Sequence, residues 1–325
     1  MKTKYLILPF ICLAVLSFSC KEEDFNPKGE FKQKYVLNCV LRTDTTVQVV
    51  TLTSSYNVAG FNPGDNKTDP ALENADVRMW YDESVIILKP GTDPRGDTSR
   101  YNTPYKYYYA ENFQPAPGKT VEIEAVLQNG RRLHATTVIP RKIDYDFERV
   151  DSVVPPAGKN YVTTAWQPAK DPNTFFYPKF KLVYFKVENS VPVRYLRTIP
   201  VKYVKSGGTY APIYARPTTQ PTYTIETDAV NRVMEEISAG DPNKKNYIVL
   251  AFIYEIMTLD INLSSYYSSS SQFDEGFSVK VDQADYSNVE GGLGIFGAYS
   301  SVEYAIRLDK NYIRSFGYKT KLGPE

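Results

Sequence analysis

An all-β fold is predicted by three features of the sequence. Val121-Glu-Ile-Glu-Ala-Val-Leu127 alternates apolar and polar residues, Asn129-Gly130 follows, and Arg131 to Val138 returns. Asn-Gly suits a tight hairpin because both central positions need positive φ. Short apolar or alternating runs also recur between clusters of Gly, Pro, Asn and Asp, the spacing of a β-sandwich. Finally, the chain carries 27 Tyr and 16 Phe against 4 Met and 2 Trp, and such aromatic residues fit a pleated, half-buried surface.

In chain order, Tyr35 to Leu41 and Val47 to Leu52 flank Thr43-Asp-Thr-Thr46 and read as a hairpin. Gly60 to Asp69 is a loop rich in Gly, Pro, Asn and Asp. Ala75 to Trp80 and Val85 to Leu88 pair across Asp82-Glu83; Pro90 to Pro104 is a second polar loop, and Tyr105 to Tyr109 an aromatic strand. With the Asn129-Gly130 hairpin, these strands predict an immunoglobulin-like sandwich over residues 35–140, ended by Pro140 and the charged Arg141-Lys142.

Residues 141–325 are expected to form a larger β-rich domain with one or two short helices. Tyr161 to Trp166 looks like an inner strand of a fibronectin-like sheet, with Trp166 in the core, and Phe175 to Val187 and Tyr195 to Val204 continue the β texture. One helix is expected with Thr227 or Asp228 as cap, Val230, Val233, Met234 and Ile237 on one face, and Gly240 and Pro242 at its end. Tyr247 to Ile261 reads as a central strand, being apolar on both faces at first. Leu263 to Gln272 reads as a loop or a short amphipathic helix, and Phe277 to Val281 and Ser300 to Leu308 close the sheet.

The beginning of the chain says where the protein works. Met1-Lys-Thr-Lys4, the apolar Tyr5 to Phe18 and the small Ser19 form a secretory signal peptide over residues 1–19. The apolar run is shorter than the roughly 20 residues that cross a bilayer. Cys20 stands at the polar boundary, where its thiol can take a diacylglycerol and its freed amine a further acyl chain such as palmitate. More than one chain makes such anchoring stable. Cys12 lies inside the apolar run, so cutting before it would leave apolar residues on the mature terminus. Ser17 and Phe18 depart from the usual lipoprotein boundary, and an ordinary secreted protein cut near Ser19 is the alternative. Residues 20–34 then form the lipidated cysteine and a polar tether. Lys21-Glu22-Glu23-Asp24 resembles the acidic signal that sends Bacteroidetes lipoproteins to the outer face of the outer membrane; the plainer reading is a solvated tether.

Lys and Arg number 38 against 37 Asp and Glu, so no basic field exists for nucleic acid. With Cys20 acylated, Cys39 has no disulfide partner and is expected to be a small buried hydrophobe on a strand. His134, the single histidine, is expected to be a surface or satisfied strand residue. No catalytic residue, metal site or cofactor is expected, although a two-carboxylate hydrolase stays open because spatial pairs are invisible in sequence. Asp65-Asn-Lys-Thr-Asp69 lacks the sixth-position glycine and twelfth-position acid of a calcium loop and reads as a polar turn.

Gly292-Leu-Gly294-Ile-Phe-Gly297 matches G-x-G-x-x-G, but Tyr299 to Leu308 after it alternates like a strand. A dinucleotide site needs a crossover helix and a second parallel strand, and neither is expected. Gly291, Gly292, Gly294 and Gly297 are read instead as a turn with positive φ, or as a place where another backbone packs closely.

Tyr286-Ser-Asn288-Val-Glu290-Gly-Gly-Leu-Gly-Ile-Phe296-Gly resembles the closing signature of domain-of-unknown-function family 4249, a Bacteroidetes lipoprotein family. Pro70-Ala-Leu-Glu-Asn-Ala-Asp-Val-Arg-Met79 and Pro117-Gly-Lys-Thr-Val-Glu-Ile-Glu124 are similar to its earlier segments, with Val121 where an aromatic is commoner. The resemblance implies a surface lipoprotein whose gene accompanies a TonB-dependent outer-membrane receptor, with no catalytic residues to carry over. Three functions are therefore weighed. The first is a non-catalytic accessory that captures a ligand for, or gates, such a transporter. The second is a cell-surface adhesin or structural module, and the weakest is a carboxylate-dependent hydrolase.

Overall fold

The computed structural model describes residues 30–58, 62–269 and 286–322. Cys20, Lys21, Glu22, Glu23, Asp24 and the strand expected at Phe277 to Val281 lie outside the described residues.

The first half is a run of β-strands: β1 (Tyr35–Arg42), β2 (Gln48–Ser54), β3 (Asp76–Tyr81), β4 (Ser84–Ile87), β5 (Lys89–Asp93), β6 (Tyr105–Ala110), β7 (Thr120–Val126) and β8 (Arg132–Val138). β1 and β2 form the expected hairpin, with Leu37 opposite Leu52 and Cys39 opposite Val50. β7 and β8 form the expected hairpin, but its turn is not the two-residue Asn129-Gly130 turn with positive φ at both positions. Of the pair only Gly130 has positive φ, +78°. The Gly130 amide donates to the Leu127 carbonyl while the Leu127 amide donates to the Arg131 carbonyl, so the loop is longer. The loop expected from Pro90 is shorter than its composition suggests, because β5 runs extended against β6 with Gly91 opposite Tyr107. A four-stranded sheet in the order β4-β3-β7-β8 faces the strands β1, β2 and β6. Between them Leu37, Leu41, Val50, Met79, Ile123 and Leu133 are buried, together with Cys39.

The second half continues with β9 (Val153–Val154), β10 (Tyr161–Ala165), β11 (Phe176–Glu188), β12 (Val191–Thr198), β13 (Lys202–Ser206), β14 (Thr209–Ile213) and β15 (Thr222–Glu226). Helix α1 (Thr227–Glu236), strand β16 (Tyr247–Leu259), helix α2 (Ile261–Ser269), strand β17 (Leu293–Leu308) and helix α3 (Lys310–Ser315) complete it. No helix among the described residues is long and apolar enough to cross a membrane.

Two expectations are corrected here. β10 pairs with β15 in a two-stranded ribbon rather than inside a fibronectin-like sheet, although Trp166 just after it is fully buried against Phe176. Neither Thr227 nor Asp228 caps α1. The helix starts directly from β15, so the residue before it is Glu226 with no side-chain cap bond; the Thr227 amide goes to the Asn160 carbonyl, and Asp228 pairs with Arg232 at 2.8 Å. The apolar face is as expected, with Val230, Val233 and Met234 fully buried in the same core as Phe180, Tyr254 and Ile256, and Ile237 partly buried against it.

Strand β17 joins the two halves. Its first part pairs in parallel with β1, Val36 opposite Leu293 through Arg42 opposite Tyr299, and its second part pairs antiparallel with β16. The sheet order is thus β12-β11-β16-β17-β1-β2-β6-β5, with β9 also on β17. Side chains alternate along a strand, so β17 serves three clusters. Phe296 and Ala298 complete the first core, Ile306 and Leu308 enter the second, and Ile295 and Tyr299 meet α2 on the opposite face.

The turn expected over Gly291 to Gly297 is confined to its start. Gly291 is in a turn with φ +78°, whereas Gly294 and Gly297 lie within β17. A parallel neighbour, β1, does exist, but the segment after the glycines is strand rather than helix. The glycines serve packing. A Cβ on Gly292 would lie 2.5 Å from the Tyr35 carbonyl oxygen, and one on Gly297 would lie 2.6 Å from the Leu263 side chain of α2.

Candidate functional site

Past β17 and β1, the face of the large sheet that α2 covers elsewhere carries a cleft of about 550 Å³. Register fixes its floor. Leu37, Cys39, Leu52 and Val50 point into the core, so Val36, Thr51 and Thr53 point the other way. The walls are the two polar stretches that precede and follow β3 to β5, and Thr53 bridges to Ala71 in the first of them.

Aromatic rings and guanidinium groups alternate along the wall. The Arg95 guanidinium carbon lies 5.5 Å from the Tyr105 ring centroid and 5.3 Å from that of Tyr101. Arg100 lies 5.0 Å from the Tyr101 centroid and 5.5 Å from that of Tyr56. The order is therefore Tyr105, Arg95, Tyr101, Arg100, Tyr56. Each cation–π contact contributes about 0.5–2 kcal/mol depending on desolvation. The aromatic row extends beyond Tyr105 because β6 places Tyr105, Tyr107 and Tyr109 on one face, with neighbouring ring centroids 5.9 Å apart and the ring planes tilted by 32° and 59°. Tyr107 crosses Gly91, where a Cβ would lie 2.6 Å from the ring; the bare backbone is what lets the ring settle there.

Asp69 fixes the stack to the sheet. Its carboxylate accepts from the Ala71 amide at 3.0 Å, the Thr103 hydroxyl at 2.9 Å and Arg95 Nη2 at 2.6 Å. Burial opposes its ionisation, but these three donors outweigh burial and hold the carboxyl below its usual range. Arg95 Nε donates to the Thr103 carbonyl at 2.8 Å, and Arg100 Nη2 donates to the Pro63 carbonyl at 2.9 Å and to the Tyr56 hydroxyl. Desolvation raises the Tyr101 and Tyr105 phenols above their ordinary pKa, so both stay neutral donors at physiological pH. The charged lining is Arg95, Arg100 and Lys106 against Asp69, with Lys106 paired to Glu73.

Outside the cleft, His134 sits on β8 in the four-stranded sheet. Its Nε2 is 2.9 Å from Glu122 Oε1 and its Nδ1 is 3.6 Å from Glu290 Oε2, while its backbone bridges to Glu290 in both directions. The ring is satisfied between two carboxylates and has no nucleophile among these contacts. Lys181 joins Glu255 at 2.6 Å and Glu303 at 2.8 Å across three strands. No group of three metal-ligating side chains occurs among the described residues. Asp69, which the sequence assigns to a polar turn, is an anchoring carboxylate of the cleft.

The closing glycine segment lends Leu293 to the edge of the cleft, and the rest of it is a clasp. The Asn288 side chain donates to the Phe296 carbonyl at 2.8 Å and accepts the Phe296 amide at 2.9 Å. Asn262 of α2 donates to the same carbonyl at 3.1 Å and accepts from the Tyr286 hydroxyl at 3.1 Å. The buried Asp260 accepts from the Leu263 amide at 2.8 Å and from the Thr137 hydroxyl.

Sequence reasoning saw the aromatic strand and the two polar loops but not their union. The usable signal was the recurrence of Arg95, Arg100-Tyr101 and Tyr105 within one stretch. The family model described as a domain of unknown function, DUF4249, matches residues 21–305. A search of the curated proteins finds no match.

Proposed function

The chain belongs to the DUF4249 family, and for this member we propose a lipid-anchored surface protein of the outer membrane that captures a ligand, without chemistry, for a TonB-dependent transporter. The observation that carries the reading is the cleft. Asp69 ties Arg95 to the Ala71 backbone, and tyrosine rings, a second guanidinium group and two threonines of the sheet line the same space, the mix of apolar walls and few convergent polar groups that suits a binding site. The leader supports the location: a signal peptide over residues 1–19, acylation of Cys20, and Lys21 to Asp24 as the export signal. A tether from Cys20 to Lys34 would leave the body close to a neighbouring barrel.

Co-purification tests the reading. From detergent-solubilised outer membranes at native expression, the tagged chain should bring down a TonB-dependent receptor, and a solitary chain would overturn the partnership. Exchanging Cys20→Ser should release the chain from membranes.

The row of exposed Tyr105 and half-buried Tyr107 and Tyr109 favours one second reading, an adhesin, since Tyr supplies rigid contact area with a polar tip. Cell or matrix binding that survives deletion of the transporter would support it over the first.

A further inference from the structure

We propose that the cleft and the tyrosine row take an oligosaccharide with an acidic sugar at one end, its carboxylate against Arg100 and its neutral sugar rings running past Tyr101 and Arg95 to Tyr105, Tyr107 and Tyr109. The inference deepens the capture reading and rests on it.

Three observations select this chemistry. First, Tyr105, Tyr107 and Tyr109 follow one another at 5.9 Å between centroids, close to the step between successive rings of a glycan. The C–H faces of a pyranose are apolar and slightly positive, and they pack on the electron-rich face of an aromatic ring. Second, Thr51 and Thr53 line the same cleft as Tyr105, and their hydroxyls are partners for a polyhydroxylated ligand that an acyl chain would leave unused. Third, charge changes along the row. At the cleft end Arg95 is paired with Asp69 and Lys106 with Glu73, while Arg100 bonds the neutral Pro63 carbonyl and Tyr56 hydroxyl, and guanidinium is the group best matched to a carboxylate. The far end, around Tyr107 and Tyr109, is lined by Asp93 and Glu111. Those carboxylates suit neutral sugar hydroxyls and disfavour a polyanion. Stacked rings beside cations also describe a single-strand nucleic-acid groove, but that needs a basic track along the whole backbone, and Asp93 and Glu111 interrupt it.

Titration calorimetry of the full chain in detergent decides the point, with glucuronosyl-xylotriose as the acidic probe and xylotetraose and oligothymidylate as comparators. The acidic probe should bind at least about tenfold tighter than xylotetraose, a difference of about 1.4 kcal/mol. Arg100→Gln should remove that preference, and Tyr107→Ala should weaken both saccharides by about tenfold. Equal binding of the two saccharides, no binding of either, or tighter binding of oligothymidylate would overturn the inference. Should Arg100→Gln fail to fold by circular dichroism, Tyr107→Ala alone carries the test, and unchanged saccharide affinity in it overturns the proposal. A receptor that co-purifies with a chain indifferent to saccharides would sink this inference and spare the accessory reading. Saccharide binding by a solitary chain would do the reverse.

Discussion

Gly294 lies against Leu37 of the parallel neighbour strand so closely that a β-carbon on it would stand 2.0 Å from the Leu37 carbonyl oxygen. Its φ of +120° is one that side chains rarely adopt, so two independent reasons demand glycine. Gly294→Ala should destabilise the fold by about 3 kcal/mol or more, from backbone strain plus separation of β1 from β17. Urea unfolding would read this as a lowered midpoint. An unchanged midpoint would mean that the β1–β17 pairing is not the seam described above.

Asn288 copies a strand partner, filling both backbone groups of Phe296 with one amide. Asn288→Ala should cost about 2 kcal/mol, because the two Phe296 groups lose a partner in a partly buried place. Asn288→Asp should lose stability too, since a carboxylate cannot donate to the Phe296 carbonyl. Equal stability of both variants with the parent, by thermal melting, would contradict the clasp.

Asp260 titrates as a buried group, its pKa raised to about 6, chiefly by burial and despite hydrogen bonds from Thr137 and the α2 amides. An acid whose folded pKa exceeds its unfolded value of 3.8 holds its proton longer in the folded state. Its contribution therefore favours folding below about pH 4 and declines as pH rises through about 6, by about 3 kcal/mol in all. Asp260→Asn should flatten that part of the stability–pH curve. A curve of the same slope in parent and variant would remove Asp260 from the account.

Asp69 is the anchor of the arginine–tyrosine wall. Asp69→Ala leaves Arg95, whose side chain is 17% exposed, without its carboxylate, and removal of one partner of such a pair costs about 3 kcal/mol. Hydrogen exchange should rise in the amides of residues 69–71 and 95–105, while β16 and β11 stay protected. Uniform loosening of the whole chain would show that the wall is not a local unit.

Local structure was legible where neighbours in sequence are neighbours in space. The Asn129-Gly130 hairpin, the β1–β2 pair, the apolar face of α1 and the burial of Cys39 and Trp166 all follow from alternation, turn chemistry or helical periodicity. The pairing of β17 with β1 was not, because it joins segments about 250 residues apart and nothing local encodes a parallel register. The glycines were legible as either a turn or a place of close backbone packing; the second holds at Gly294 beside Leu37, but the distance in sequence hid which strand and which helix, β1 and α2, they make room for. The cleft was half legible. Tyr105 to Tyr109 declares an aromatic strand, but Asp69 and Arg95 come from stretches whose polar composition says only that they are loops, and Tyr56 lies outside every element read from the sequence.

The central claim, a ligand-capturing body held at a membrane through Cys20, is tested most directly by mass spectrometry of the amino-terminal peptide from isolated membranes. The account predicts that the mature chain begins at Cys20 and carries a thioether-linked diacylglycerol with an amide-linked acyl chain. An unacylated terminus, or one beginning at another residue, would contradict it.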